Sequence, residues 1–323
     1  MKKNVAVVMG GYSKEIDISI GSGNVVVNAL NKQLYTIYPV HILISKWVVI
    51  IDNEEIPINR ADFSFKQGTQ KIIFDVVFNA IHGNPGENGL FTSYLDMLNI
   101  KHTTAPFYPM ALSFNKHDTI SVLRQFGIKA AKSIHLNKTD SINIDTIVSE
   151  IKLPCFVKAN NAGSSYGVSK VYDASNLKKA IAFSFKEDDE VLIESFLDGT
   201  EVSIGIYNFG KEVRILGMTE IVSENDFFDF EAKYEGKSQE ITPARISEEE
   251  RKKLEAVSIK IFKKLNMKNF TRADFILVKG EPYFIEINTV PGISIESIIP
   301  KQIRAAGMTL QEFFGKAIEN SLH

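Results

Sequence analysis

Between Arg272 and Asn288 polar and charged side chains alternate with large apolar ones on either side of a single glycine, Gly280. That pattern predicts two strands, residues 272–278 and 283–288, joined as a hairpin. Pairing about Gly280 sets Asp274 opposite Glu286 and Arg272 opposite Asn288, all four on one face of the sheet. Side chains so opposed stand roughly 4.5–5.5 Å apart at Cβ. Two carboxylates held that close, among Phe275, Ile276, Ile285 and Ile287, repel unless something positive lies between them. A hard divalent cation such as magnesium satisfies this demand, because it takes one or two carboxylates and completes its shell with water and phosphate oxygens. Asp274, Glu286 and Asn288 are therefore the candidate metal ligands. Arg272 stands ready beside them for a phosphoryl group or a developing oxyanion. Taken alone, the same alternation also fits a solvated sheet face.

A second pattern begins at Lys158, where a lysine closes an apolar run and Ala159-Asn160-Asn161-Ala162-Gly163-Ser164-Ser165-Tyr166-Gly167 follows. A small-residue loop can turn its amides toward phosphate oxygens while the lysine neutralises charge. A flexible hairpin loop with an exposed lysine has the same composition. Residues 191–197 predict a strand and linker able to pair with a nucleobase edge, and Glu201 follows in position for ribose hydroxyls. The spacing GxxxxGK occurs from Gly205 to Lys211, but Glu212 replaces the Ser or Thr a phosphate loop needs, so it is read as chance. GxGxxG is absent from the first turn, which argues against a nicotinamide cofactor. The six histidines show no HExxH spacing, so zinc is not expected.

With 323 residues the chain is too long for one ordinary core. An apolar run at Val5-Ala6-Val7-Val8-Met9 ending in Gly10-Gly11 predicts a buried parallel strand, with a helix over residues 24–30. A second such strand, 74–81, ends in His82-Gly83-Asn84-Pro85-Gly86-Glu87-Asn88-Gly89. Alternation of this kind predicts an open α/β domain over residues 1–103, with ligands at the carboxyl ends of its strands. Two further segments are expected, 104–188 and 189–323, giving an α/β chain with α+β elements. The net charge of −2 gives no general attraction to nucleic acid or anionic membranes. The single cysteine, Cys155, excludes an internal disulfide and reads as a small buried hydrophobe. No apolar run reaches a membrane span or a secretory signal, so a cytoplasmic protein with no membrane partner is expected.

In order and spacing these motifs resemble the D-alanine–D-alanine ligase family of the ATP-grasp fold. The likeness covers nearly the whole chain, from Gly10-Gly11-Tyr12-Ser13-Lys14-Glu15 to Pro300-Lys301. It runs through His82-Gly83, Gly86-Glu87 and Gly89, then Lys158, Gly163-Ser164-Ser165 and Gly167-Val168-Ser169-Lys170-Val171. It continues through Phe228-Asp229-Phe230-Glu231-Ala232-Lys233-Tyr234 and Glu286-Ile287-Asn288-Thr289, Pro291-Gly292 and Ser297. The departures are Ile16, Ala159, Asn88 and Glu296, and none removes a metal ligand or a phosphate-binding lysine.

The resemblance implies three domains, with ATP between the central and C-terminal ones. It implies ligation of two D-alanines through a D-alanyl phosphate, for peptidoglycan precursor synthesis; the alternatives are a ligase with a different second substrate, D-lactate or another amino acid, and a silent nucleotide-binding module. Lys116 and Lys158 would hold ATP phosphates, and Lys233 the γ-phosphate. Glu194, Phe196, Leu197 and Glu201 would form the adenosine pocket. Asp274, Glu286 and Asn288 would bind two magnesium ions, or manganese in their place. Glu15, networked with Ser164 and Tyr234, would meet the first D-alanine's ammonium, and His82 would lie beside the substrate. Arg272 and the Gly292 backbone would stabilise the tetrahedral intermediate, and Lys233 and Ser297 would reach the second substrate. Residues 223–239 look like a loop closing over the site. Retention of Tyr234 favours an amine as nucleophile. A homodimer formed through the N-terminal domain is also implied.

Overall fold

The computed structural model describes residues 2–223 and 238–323. It begins with β1 (Lys3–Gly11), α1 (Ile16–Ala29), β2 (Tyr35–Leu43), β3 (Trp47–Ile51) and β4 (Glu54–Pro57). The small hairpin β5 (Phe65–Gln67) and β6 (Gln70–Ile72) follows, then β7 (Val76–Asn79) and α2 (Leu90–Met97). The first sheet has the order β4-β3-β2-β1-β7, with β1 parallel to both neighbours. Its apolar run Val5–Met9 is thus buried inside the sheet, between β2 and β7, as its composition predicts. The helix after it differs from expectation, for it starts at Ile16 rather than residue 24. Ile18-Ser19-Ile20-Gly21-Ser22-Gly23 reads as loop by propensity, yet tertiary packing decides the matter. A Cβ on Gly23 would lie 2.7 Å from Met9, so glycine lets the helix press onto β1. Ser19 Oγ accepts from Gly10 N–H and donates to the Ala80 carbonyl, tying two strand ends to α1.

Two helices, α3 (Phe107–Phe114) and α4 (Lys116–Gln125), lead into β8 (Ser133–Asn137), α5 (Ile144–Ile151), β9 (Cys155–Ala159), β10 (Ser169–Val171), α6 (Leu177–Ser184) and β11 (Glu190–Ser195). The second sheet has the order β10-β9-β11-β8. The boundary expected at residue 189 therefore cuts through this sheet: β11 lies between β8 and β9, antiparallel to both. Cys155, Val157, Val171, Val191 and Ile193 pack on one face with Leu177 and Ile181 of α6 and Ile147 of α5. Strand parity then sends Phe156, Lys158 and Glu194 to the opposite face.

The third sheet holds β12 (Thr200–Asn208), β13 (Arg214–Ser223), β14 (Ser238–Ile241), β15 (Asn269–Val278) and β16 (Glu281–Asn288), in the order β14-β13-β12-β15-β16. Between β14 and β15 runs α7 (Glu248–Lys264), started by a Ser247/Glu250 capping box. Leu254, Ile261 and Phe262 of α7 share a core with Val202, Ile204, Ala273, Phe275 and Phe284, and Met110 and Ile120 of the α3–α4 pair join it. At the end of the chain, α8 (Ile298–Ala305) lies on β13 and α9 (Leu310–Leu322) packs on α1 and β7. Phe313, Phe314 and Ile318 thus close one core with Val5, Val7 and Phe78.

The β15–β16 hairpin has the predicted pairs Arg272 with Asn288 and Asp274 with Glu286, by a route the sequence does not display. The turn is two residues, Lys279 and Gly280, both at positive φ. A β-bulge lies between Asp274 and Phe275, so Phe275 pairs with Phe284 and Ile285 is the extra residue. Phe284 consequently faces the core, its ring 5.9 Å from Phe275. Glu286 and Asn288 face the other way.

Candidate active site

The uncovered faces of the second and third sheets look at each other across a cleft, and the linker between β11 and β12 closes one end. Lys116, Lys158, Ser164, Glu194, Leu197, Glu201, Arg272, Asp274 and Glu286 all line it. A second cavity is lined by Glu15, His82, Ser164, Arg272, Glu286, Asn288, Gly292 and Ser297. Gly163, Ser164, Arg272 and Glu286 line both, so the two spaces meet there. Phe196 is not among the lining residues; its ring lies 6.3 Å from Phe156, which is. Lys233 and Tyr234, with most of the loop 223–239, lie outside the described residues.

In the first cavity the cations are held by carboxylates. Lys158 and Glu194 form a buried pair at 2.5 Å. Lys116 stands at the first turn of α4, donates to the Ala162 carbonyl at 2.6 Å and lies 3.4 Å from Glu286. The loop from Gly163 to Gly167 is bent back by positive φ at Ser164, Ser165 and Gly167. Two of these are not glycine, a costly conformation that keeps the loop tight around the cavity mouth.

Asp274 accepts hydrogen bonds from three neighbouring side chains. Arg272 donates to it from Nε at 3.0 Å and Nη2 at 2.9 Å, Ser203 Oγ at 2.5 Å and Asn288 Nδ2 at 3.2 Å. Four donors occupy the acceptor positions of its two oxygens. Among the described residues no three His, Cys, Asp or Glu side chains cluster as a metal site. Two opposed carboxylates and one amide nonetheless suit a hard cation that takes its remaining ligands from water and phosphate. Turning the Asn288 amide over presents its oxygen and frees an acceptor position on Asp274. The donor set therefore fits magnesium, with Asn288 as the adjustable member.

The second cavity is built from loops. Glu15 caps α1, is buried, and accepts a hydrogen bond from Ser164 Oγ. Gly83 and Gly163 both approach it so closely that a Cβ would lie 2.9 Å and 3.1 Å from its carboxylate. His82 Nδ1 lies 2.8 Å from the Val290 carbonyl, which can only accept, so Nδ1 carries the proton. Nε2 then accepts from Ser22 Oγ at 2.8 Å, and Ser22 accepts from Ile293 N–H. Burial holds the His82 pKa below the usual imidazole value, in keeping with a neutral ring. Glu87 accepts from Gly83 N–H and Val290 N–H, and burial, reinforced by the nearby Glu15 charge, pushes its carboxyl up to about 8. His82 and Glu87 together fix the loop bearing Gly292, where a Cβ would lie 3.2 Å from Ser297 Oγ. Ser297 begins α8 and shares a hydrogen bond with Ser294.

Several contributors have no sequence signal strong enough to find them. Ser203 matters because β12 pairs it with Asp274, seventy-one residues away. Ser22 reads as loop polarity and Glu87 as one member of a glycine-rich run. Glu240 lines the second cavity and is held by Lys301 at 3.0 Å.

Comparison with known proteins gives the chain's family. Residues 4–105 match the family model described as D-ala D-ala ligase N-terminus, and residues 122–319 match D-ala D-ala ligase C-terminus. The D-alanine–D-alanine ligase of Flavobacterium johnsoniae is 53% identical over 321 residues, covering 99% of each chain. The solved VanG D-Ala:D-Ser ligase of Enterococcus faecalis superposes with a TM-score of 0.87 at 27% identity, over 99% of this chain and 100% of that one. A Bacillus anthracis D-alanine–D-alanine ligase complexed with ATP gives 0.80 at 26% identity, over 99% and 97%. The chain belongs to the D-alanine–D-alanine ligase family and has its ATP-grasp fold.

Proposed function

We propose that this protein joins two D-alanine molecules into D-alanyl-D-alanine at the expense of ATP, for peptidoglycan precursor synthesis. The observation carrying this reading is the meeting of the two cavities at Ser164, Arg272 and Glu286. ATP lies in the sheet-walled cleft, its phosphates toward Lys116 and Lys158, its adenosine toward Glu194, Phe196, Leu197 and Glu201. The first D-alanine occupies the loop-built cavity with its ammonium near Glu15 and its carboxylate at the junction. That carboxylate attacks the γ-phosphorus, ADP leaves, and the amine of a second D-alanine displaces phosphate from the acyl phosphate. Arg272 and the Gly292 backbone face the charge that develops on the acyl oxygen. His82 and Glu87 keep the Gly292 loop in place, and Ser297 receives the second substrate's carboxylate.

Asp274, Glu286 and Asn288 would hold magnesium, which when bound offsets the charge of the phosphates between them. Little covalent work falls to the protein, so positioning and exclusion of water dominate. The test is phosphate release from ATP that requires both D-alanine and magnesium, with the product identified by mass spectrometry. Folded protein that releases none sinks the reading. A panel of D-serine and D-lactate reads the second-substrate preference, since a relative of the same fold is a D-Ala:D-Ser ligase. We further propose a homodimer in solution, and a monomer mass by light scattering would rule it out. Among the described residues no helix is long and apolar enough to cross a membrane.

A further inference from the structure

Behind the phosphate-facing side of the cleft lies a polar cluster outside both cavities. Its centre is Asn160, fully buried, two residues beyond Lys158. The Asn160 side chain accepts from the His117 backbone N–H at 2.8 Å and donates to Glu190 Oε2 at 2.5 Å. Its own backbone does the same work again, donating to the Glu190 carbonyl at 3.0 Å and accepting from Lys116 N–H at 3.3 Å. Glu190 Oε2 also accepts from Asn115 Nδ2 at 3.4 Å, and His135 Nε2 lies 3.2 Å from it. The His135 ring stacks on His117, centroids 4.5 Å apart. Asn115 meanwhile caps α4 by accepting from Asp118 N–H.

One buried amide therefore bonds both to the start of α4, where Lys116 sits, and to β11, while belonging to the chain that runs from Lys158 into the loop. Its four bonds go to only two places, two to residues 116 and 117 at the start of α4 and two to Glu190 of β11. Lys116 returns the connection by donating to Ala162 in the same loop. We infer that Asn160 and Glu190 form a positioning hub that fixes Lys116 relative to Lys158 and the 160–167 loop, and so sets the affinity for ATP. The inference rests on the reading above that these lysines and this loop hold ATP phosphates.

A swap of chemical roles tests it. Asn160→Asp keeps the acceptor for His117 N–H but replaces the donor to Glu190 with a second carboxylate. With that bond lost and two carboxylates opposed, Lys116 is no longer held against the loop, so the KM for ATP should rise about tenfold or more while the KM for D-alanine stays put. Adding Glu190→Gln restores a donor and acceptor pair with the roles reversed, and should bring the KM for ATP back to within a few-fold of wild type. Glu190→Gln alone keeps an acceptor for Asn160 and should raise the KM for ATP less than Asn160→Asp does. If Asn160→Asp leaves the KM for ATP unchanged, or if the double variant fails to recover it, the hub has no positioning role. ATP affinity measured by calorimetry on the same proteins reads the hub without ligation. An inactive wild type that still binds ATP would thus sink the ligase reading and leave this inference fully testable.

Discussion

The two ends of the site are built in different ways. The metal-facing end sits on one hairpin, where Asp274 and Glu286 are neighbours by register and their backbone is held by sheet hydrogen bonds. The amino-acid-facing end is a seam where α1 and two loops meet, in which His82 meets Val290 and Ser22 meets Ile293 across more than two hundred residues. On the hairpin a side chain can be exchanged without disturbing the fold, because the strands carry the structure. At the seam the functional groups are themselves the connection, so chemistry and stability cannot be separated.

That contrast can be broken by experiment. The largest effect is expected for Glu286→Gln, which should lower turnover by at least about a hundredfold while leaving the melting temperature near wild type. A large loss of stability there would erase the distinction. His82→Ala should do the reverse, since it strips buried partners from the Val290 carbonyl and the Ser22 hydroxyl. At about 1–3 kcal/mol for each of the two orphaned groups, urea unfolding should show a loss of about 2–6 kcal/mol. Wild-type stability in that variant would mean the seam holds without its histidine.

Ser203→Ala sharpens the hairpin side. Asp274 keeps Arg272 and Asn288 but loses one orienting bond, and manganese affinity by electron paramagnetic resonance should fall about tenfold. An unchanged affinity would show that Arg272 and Asn288 suffice to orient the carboxylate.

Near pH 5 the smallest effect belongs to Glu87→Gln. The fold raises this carboxyl from 4.5 to about 8, so it favours the protonated form. Its stabilising contribution is complete below about pH 4.5 and is lost as pH rises through about 8. Relative to wild type, the glutamine variant should therefore gain stability steadily between those values and level off above them. Parallel melting curves across that range would contradict the buried-acid reading.

What could be read from the chain follows the same division. The Asp274–Glu286 pairing was legible because a hairpin is local and parity needs only counting. Strand β1 was legible because five consecutive apolar residues leave no exposed face. The start of α1 was not, since Gly23 suits close packing on Met9, and only the folded partner reveals that. Ser203 and Asn160 stayed hidden for a related reason: each is an ordinary polar residue until a strand or helix from elsewhere supplies its partner. The placement of β11 in the second sheet likewise depends on pairing with β8 and β9, which composition does not encode.

The extra residue at Ile285 has a consequence for how this hairpin can vary. Counted along the chain, Phe284, Glu286 and Asn288 share a parity, yet one packs in the core and two face the cleft. The bulge acts on the strand as a frameshift acts on a message, reversing the sense of everything beyond it. Removing Ile285 alone would leave the pairs Asp274 with Glu286 and Phe275 with Phe284 in place as a regular ladder, with Phe284 still in the core and Glu286 still toward the cleft. The bulge is thus a reserve of one residue: this arm can shorten by one without turning its site residues over, whereas adding one would point them into the core unless a second bulge took it up.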